Sequence, residues 1–136
     1  MYETFEHTAD VGLRIRAEGL DQLFAEAGRA LFSLIVANLD EVRPVEEVRF
    51  ALAAPRNDDL LFDWLAELLY TFDTRRLLLS EFQVEVGAGR LSAVARGEPI
   101  DQPRHRLDME VKAITYHGLR LERQNDGWLA EVIVDI

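Results

Sequence analysis

The apolar residues change their spacing once near the N-terminus, and that change limits what the chain can become. From Asp10 to Glu18, Val11, Leu13, Ile15 and Ala17 alternate with Gly12, Arg14, Arg16 and Glu18. A period of two predicts a strand with one buried face. After Gly19 the interval becomes three and four: Leu20, Leu23, Phe24, Ala27, Leu31, Leu34 and Ile35 share one side of a predicted amphipathic helix. Asp21 stands in its first turn, where the exposed N–H groups favour a negative charge.

The same two periods organise the rest. Val45 to Ala53 reads as a strand with Val48, Phe50 and Leu52 on one face. Asn57 or Asp58 is the expected N-cap of a second helix, whose apolar stripe is Leu60, Leu61, Trp64, Leu65, Leu68, Leu69 and Phe72. Phe82, Val84 and Val86 alternate, Gly87-Ala88-Gly89 turns the chain, and Leu91, Ala93 and Ala95 return. A loop with Pro99 and Pro103 follows, then expected strands at Met109–His117 and Gly118–Arg123. The turn Asn125-Asp126-Gly127 leads to a closing strand, Trp128–Ile136. Strands that outnumber helices and are joined by hairpins predict an α+β fold. The expected form is a mostly antiparallel sheet with two amphipathic helices packed on one face. With 136 residues, no repeat and no dividing linker, a single domain over 1–136 is expected.

Charge narrows the function. Asp and Glu number 25 against 15 Lys and Arg, a net charge of −10. Phosphate backbones are held by Lys and Arg, so direct nucleic-acid binding is not expected. The chain has no cysteine, which excludes disulfides, thiolate metal sites and cysteine nucleophiles. No apolar run reaches the length of a membrane span, and the first residues, Met1-Tyr2-Glu3-Thr4-Phe5-Glu6, are acidic and polar rather than signal-like. The expectation is a cytoplasmic protein without a membrane partner.

Catalytic machinery is hard to find. Ser33, Ser80 and Ser92 lie outside any nucleophile elbow, and no glycine-rich phosphate loop is present. His7, His105 and His117 are too far apart for a zinc-binding helix. Arg104 and Arg106 around His105 are too few for a nucleic-acid patch and read equally as a loop exposed by prolines. Asp59, Asp63 and Glu67 follow one another at i,i+4, either a solvated face or a docking stripe for a basic partner.

The chain's last strand carries a sharper signal. Trp128, Ala130, Val132 and Val134 share one face, and Asp135 falls on the other with Leu129, Glu131 and Ile133. Asp135 next to the carboxylate of Ile136 puts two negative charges together, which is costly unless a cation or basic group offsets them. Lys112 is the only lysine beside fourteen arginines. Simpler readings remain open. Asp10 suits a carboxylate that accepts turn hydrogen bonds, Asp135 a solvated strand end, and Lys112 a snorkelling side chain. His7 suits either a core histidine or a neighbour that orients Asp10, and His117 a structural role.

Several segments together resemble the archease family: His7-Thr8-Ala9-Asp10-Val11-Gly12, Leu60-Leu61-Phe62-Asp63-Trp64-Leu65 with Leu68-Leu69-Tyr70, Gly97-Glu98 with Asp101, the strand Val111 to His117, and the Asp135-Ile136 end. The resemblance covers essentially the whole chain. It implies a non-catalytic protein cofactor that activates an RtcB-type RNA ligase in tRNA splicing or RNA repair, promoting its guanylylation and multiple turnover. It also implies a divalent metal, observed in the family as calcium, with ligands at Asp10, Asp135 and Ile136 and a functional lysine at Lys112. Calcium takes six to eight oxygens, so water or a partner's oxygens would complete the shell of an open site. A metal-binding chaperone or specificity modulator of RNA-modifying enzymes is the alternative. A small-molecule hydrolase using Asp10 and Asp135 ranks third.

Overall fold

Alternation and helical spacing become the elements they predict. In chain order these are β1 (Tyr2–His7), β2 (Asp10–Ala17), α1 (Leu20–Ile35), β3 (Glu46–Ala53), α2 (Asn57–Arg75), β4 (Leu77–Gly87), β5 (Arg90–Pro99), β6 (Ala113–Ile114), β7 (Arg120–Gln124) and β8 (Gly127–Asp135). A single 3₁₀ turn, Leu39–Glu41, separates α1 from β3. The computed structural model describes residues 1–7 and 10–136, the side chains of Glu6 and His7 excepted. No described helix is long and apolar enough to cross a membrane.

The α+β class, the two helices and the antiparallel pairing are as expected, but the strands divide between two sheets. One has the order β1-β2-β8-β6, with β7 also paired to β8; the other is β3-β5-β4. Both helices touch strands of both sheets. A single apolar core therefore runs from Leu13 and Val132 of the first sheet, through Phe24 and Trp64 of the helices, to Leu78 and Ala95 of the second. Trp64 is completely buried, and its indole N–H donates to the Phe24 carbonyl at 2.9 Å. Its ring meets Phe50 and Phe82 edge-on. That satisfies the one polar group of a large core side chain.

Local details differ from the sequence reading for identifiable reasons. β1 was not expected. It is an edge strand in which Tyr2 and Phe5 fall on opposite faces, so no row of apolar residues at a spacing of two marks it. β4 begins at Leu77, because Leu77, Leu78, Leu79 and Ser80 are all buried, so no alternation marks that part. The N-cap of α2 is Arg56 rather than Asn57 or Asp58. Asp58 still works there: its carboxylate accepts from the Asp59 N–H at 3.0 Å and pairs with Arg56. The expected strand Met109–His117 shrinks to Ala113–Ile114.

Two glycines allow close approach. In β2, Gly12 lies beneath the Phe5 ring, where a Cβ would overlap the ring carbons. In β5, Gly97 lies against the Leu78 carbonyl, beside the register shift between Leu79 and Glu81. A Cβ there meets main chain that cannot rotate away.

Residues 100–112 form neither helix nor strand, yet they follow a defined path. The Ala37 N–H donates to the Arg106 carbonyl at 2.7 Å, and Leu107 bridges Val36. The Asp108 and Met109 N–H groups donate to the Ile35 and Leu34 carbonyls, both at 2.8 Å. The segment thus satisfies carbonyls at the C-terminal end of α1 that have no partner within the helix. It crosses from the end of β5 to the first sheet.

Candidate metal centre

Strand register decides which carboxylates meet. The β2–β8 pairing runs from Ala17 opposite Trp128 to Asp10 opposite Asp135. On the other side of β2, Asp10 is opposite His7, and on the other side of β8, Asp135 is opposite Ala113. His7, Asp10, Asp135 and Ala113 therefore form one row across the end of the sheet. Directly opposed residues of antiparallel strands share a face. For Asp10 and Asp135 it is the face away from Val11, Leu13, Val132 and Val134, all of which are buried in the core. Both aspartates are half-buried.

Lys112 and Ile136 join the same corner. The Lys112 N–H donates to the Asp135 carbonyl at 2.8 Å, which fixes the lysine's backbone one residue before Ala113. Its side chain is exposed. Ile136 follows directly after β8 and is 37% exposed. The structure thus brings together Asp10, Asp135, Ile136 and Lys112. The backbone of His7 is in the row, while its side chain lies outside the described residues, as do Thr8 and Ala9.

The candidate donors that the register brings together are the carboxylate oxygens of Asp10 and Asp135. Among the described residues no three His, Asp or Glu side chains are grouped around a point that would hold a metal ion. Such a set fits a hard cation with several open positions, not a closed zinc site. Two carboxylates directly opposite one another also repel, and a divalent cation between them would remove that cost.

Further along this face, arginines and glutamates pair. Arg14 donates from Nε to Glu131 at 2.6 Å and from Nη1 to Glu3 at 3.2 Å, and its guanidinium lies 4.7 Å from the Phe5 ring centre. Arg120 also pairs with Glu131, at 3.1 Å. Hydrogen bonds from Arg14 and Arg16 hold the Glu3 carboxyl below its ordinary range. These arginines are engaged by glutamates in rows away from Asp10.

Two family segments meet nearby. Tyr116 stacks on Phe62 of α2, with ring centres 3.9 Å apart and planes 12° from parallel. Partial burial raises the Tyr116 hydroxyl pKa, and the charges of Asp59, Asp63 and Asp58 add to that rise. Asp59, Asp63 and Glu67 are half-buried, so that face of α2 is not simply solvated. His117 is exposed, and its N–H donates to the Thr115 hydroxyl at 3.2 Å.

A second carboxylate centre was missed in the sequence. Glu98, 7% exposed, accepts from both terminal nitrogens of Arg104 at 2.9 and 3.0 Å and from the Arg43 main-chain N–H at 2.7 Å. His105 Nδ1 accepts from the Asp101 N–H at 2.9 Å. Its Nε2 therefore carries the proton and donates to Glu98 at 3.0 Å. Arg104 is the main reason that the Glu98 carboxyl is lowered to about 2, against the opposing effect of burial. Arg104 and His105 thus turn inward rather than forming an exposed loop, and His105 is 2% exposed. The only sequence signal was the sequence Gly97-Glu98 with Asp101.

The profile of the Archease protein family (MTH1598/TM1083) matches residues 2–136. Protein archease of Methanopyrus kandleri is 40% identical over 139 residues, covering 99% of each chain. That of Pyrococcus furiosus is 36% identical over 140 residues, covering 99% of this chain and 98% of the relative. The solution structure of Methanobacterium thermoautotrophicum protein 1598 superposes with a TM-score of 0.88 at 33% identity, covering 99% of this chain and 98% of that one. A crystal structure of a Thermotoga maritima archease, described as a possible chaperone, shares the fold with a TM-score of 0.71 at 22% identity, covering 100% of this chain and 98% of that one. With the motifs, the topology and both sets of relatives in agreement over its length, the chain belongs to the archease family.

Proposed function

We propose that this chain is a non-catalytic protein cofactor of an RtcB-type RNA ligase, promoting its guanylylation and multiple turnover. The observation that carries this reading is the register that sets Asp10 opposite Asp135 beside Lys112. Asp10, Asp135 and the Ile136 carboxylate would hold a hard divalent cation, calcium in the first instance. Bound there, the ion supplies a compact positive charge with coordination positions open to a partner's oxygens. The chain's own part is to hold two carboxylates in register and to offer the Lys112 ammonium at the same corner. A point charge of that kind suits a phosphate or carboxylate of the partner. The net charge of −10 favours encounter with a basic, RNA-binding enzyme rather than with RNA itself. In a cytoplasmic setting the corresponding process would be tRNA splicing or RNA repair.

The alternative is a metal-binding chaperone or specificity modulator of RNA-modifying enzymes; the Thermotoga maritima protein is described as a possible chaperone. Ligation with limiting ligase separates the two. Untagged wild-type chain is expected to give several turnovers per ligase, and Asp10→Ala to return the reaction to about one. A demonstrably active ligase that gains nothing from the wild-type chain would remove the cofactor reading and put the chaperone first.

A further inference from the structure

Outside the candidate metal corner, the side chains around Glu98 form a buried, densely hydrogen-bonded group, and it lies at the start of the irregular segment that ends at Lys112. Connections of this length with no secondary structure of their own are uncommon in small domains and are usually functional. Here each stage of the path is tied. Arg104 and His105 bind Glu98. The Asn38 amide donates to the Arg104 carbonyl and its oxygen accepts from the Arg106 N–H, both at 2.8 Å. The Leu34 and Ile35 carbonyls take Met109 and Asp108, Val111 is buried, and the Lys112 N–H reaches Asp135. The path begins in the three-stranded sheet and ends on the candidate metal ligand of the five-stranded one.

A buried carboxylate is a poor device for stability alone, since apolar side chains of similar volume often do as well. Its better-attested use is to select one arrangement among several. Glu98 accepts from three residues at once, two of them in the strap itself, and so admits one path for residues 101–111. We propose that Glu98, with Arg104, His105 and Asn38, forms a positioning latch that fixes the strap and thereby holds Lys112 against the Asp10–Asp135 corner for the partner enzyme. The inference rests on the cofactor reading above. Glu98 acts through Lys112 and touches no reacting group.

The test uses Glu98→Gln and, as an independent cut of the same strap, Asn38→Ala. Amide exchange at Arg106, Asp108, Met109 and Lys112 is expected to accelerate at least about tenfold, through local opening of the strap. In ligation, maximal stimulation is expected to fall about tenfold while the chain concentration giving half of it stays put. Mere loss of folded protein would do the reverse, raising the half-saturating concentration and sparing the maximum. Calcium affinity is expected to stay within about threefold of wild type. Unchanged exchange at these four strap positions, whatever happens in the core, would overturn the latch. A fall in calcium affinity parallel to the fall in stimulation would also overturn it, placing the effect on the aspartates rather than on Lys112. If the wild-type chain leaves the ligase unstimulated, the cofactor reading fails while exchange still decides the strap.

Discussion

Glu98 in the three-stranded sheet and the Asp10–Asp135 pair in the five-stranded sheet both draw carboxylates away from open water, in surroundings of opposite character. Around Glu98 the fold supplies a guanidinium, an imidazole N–H and a main-chain N–H. Its carboxyl is correspondingly held at about 2. At the other end, strand register places one aspartate directly opposite another. A carboxylate whose counter-charges come from its own fold organises structure. Two aspartates set directly opposite one another repel, and that juxtaposition is the feature on which the proposed cation site rests.

The largest effect is expected at the satisfied centre. Glu98→Gln removes the charge but leaves Arg104 and His105 donating into the same buried space, a loss of about 2–4 kcal/mol by urea denaturation at pH 7. The pH dependence gives the sign. The folded-state pKa of Glu98 lies near 2, below the ordinary value of 4.5. Its stabilisation is therefore complete above about pH 4.5 and is lost as pH falls towards 2. Wild type should lose its advantage over Glu98→Gln in that window, and a constant difference across it would show that the carboxylate is not the source.

A smaller change of opposite sign is expected at the metal corner. In chelator, Asp135→Asn relieves a cross-strand repulsion and should stabilise the chain slightly, by about 0.2–1 kcal/mol. Added calcium should then raise the melting temperature of wild type and leave that of Asp135→Asn unchanged. Strong destabilisation by Asp135→Asn in chelator would show that Asp135, like Glu98, is satisfied from within, and the contrast between the two centres would collapse.

The sequence exposed these two centres unequally. Asp135 could be placed on the face opposite Ala130, Val132 and Val134 by counting along β8, although Leu129 and Ile133 on its own face are buried as well. That it faces Asp10 depends on pairing two strands more than a hundred residues apart, which periodicity does not report. The family resemblance named both residues, and the register gives the physical reason for their proximity. Glu98 was legible only as part of a motif. Its partners Arg104 and His105 lie near Pro103 and suggest an exposed loop, and only long-range bonds from Arg43 and Asn38 reveal the inward turn. Val111, Ala113 and Thr115 alternate like a strand, but only Ala113–Ile114 pairs as one, and the Met109 N–H that opens the segment satisfies the Leu34 carbonyl of α1 instead. Which of two sheets a strand joins is likewise absent from its own alternation, since both sheets bury their apolar faces on the same helices.

Calcium titration of the untagged, metal-free chain, followed by calorimetry beside Asp10→Asn and a form extended beyond Ile136, tests the cation site most directly. The account predicts one site in wild type, with affinity at least about tenfold weaker in both altered chains. Equal affinity in all three would contradict it, and the opposed aspartates would then be a cost of the strand register that no cation relieves.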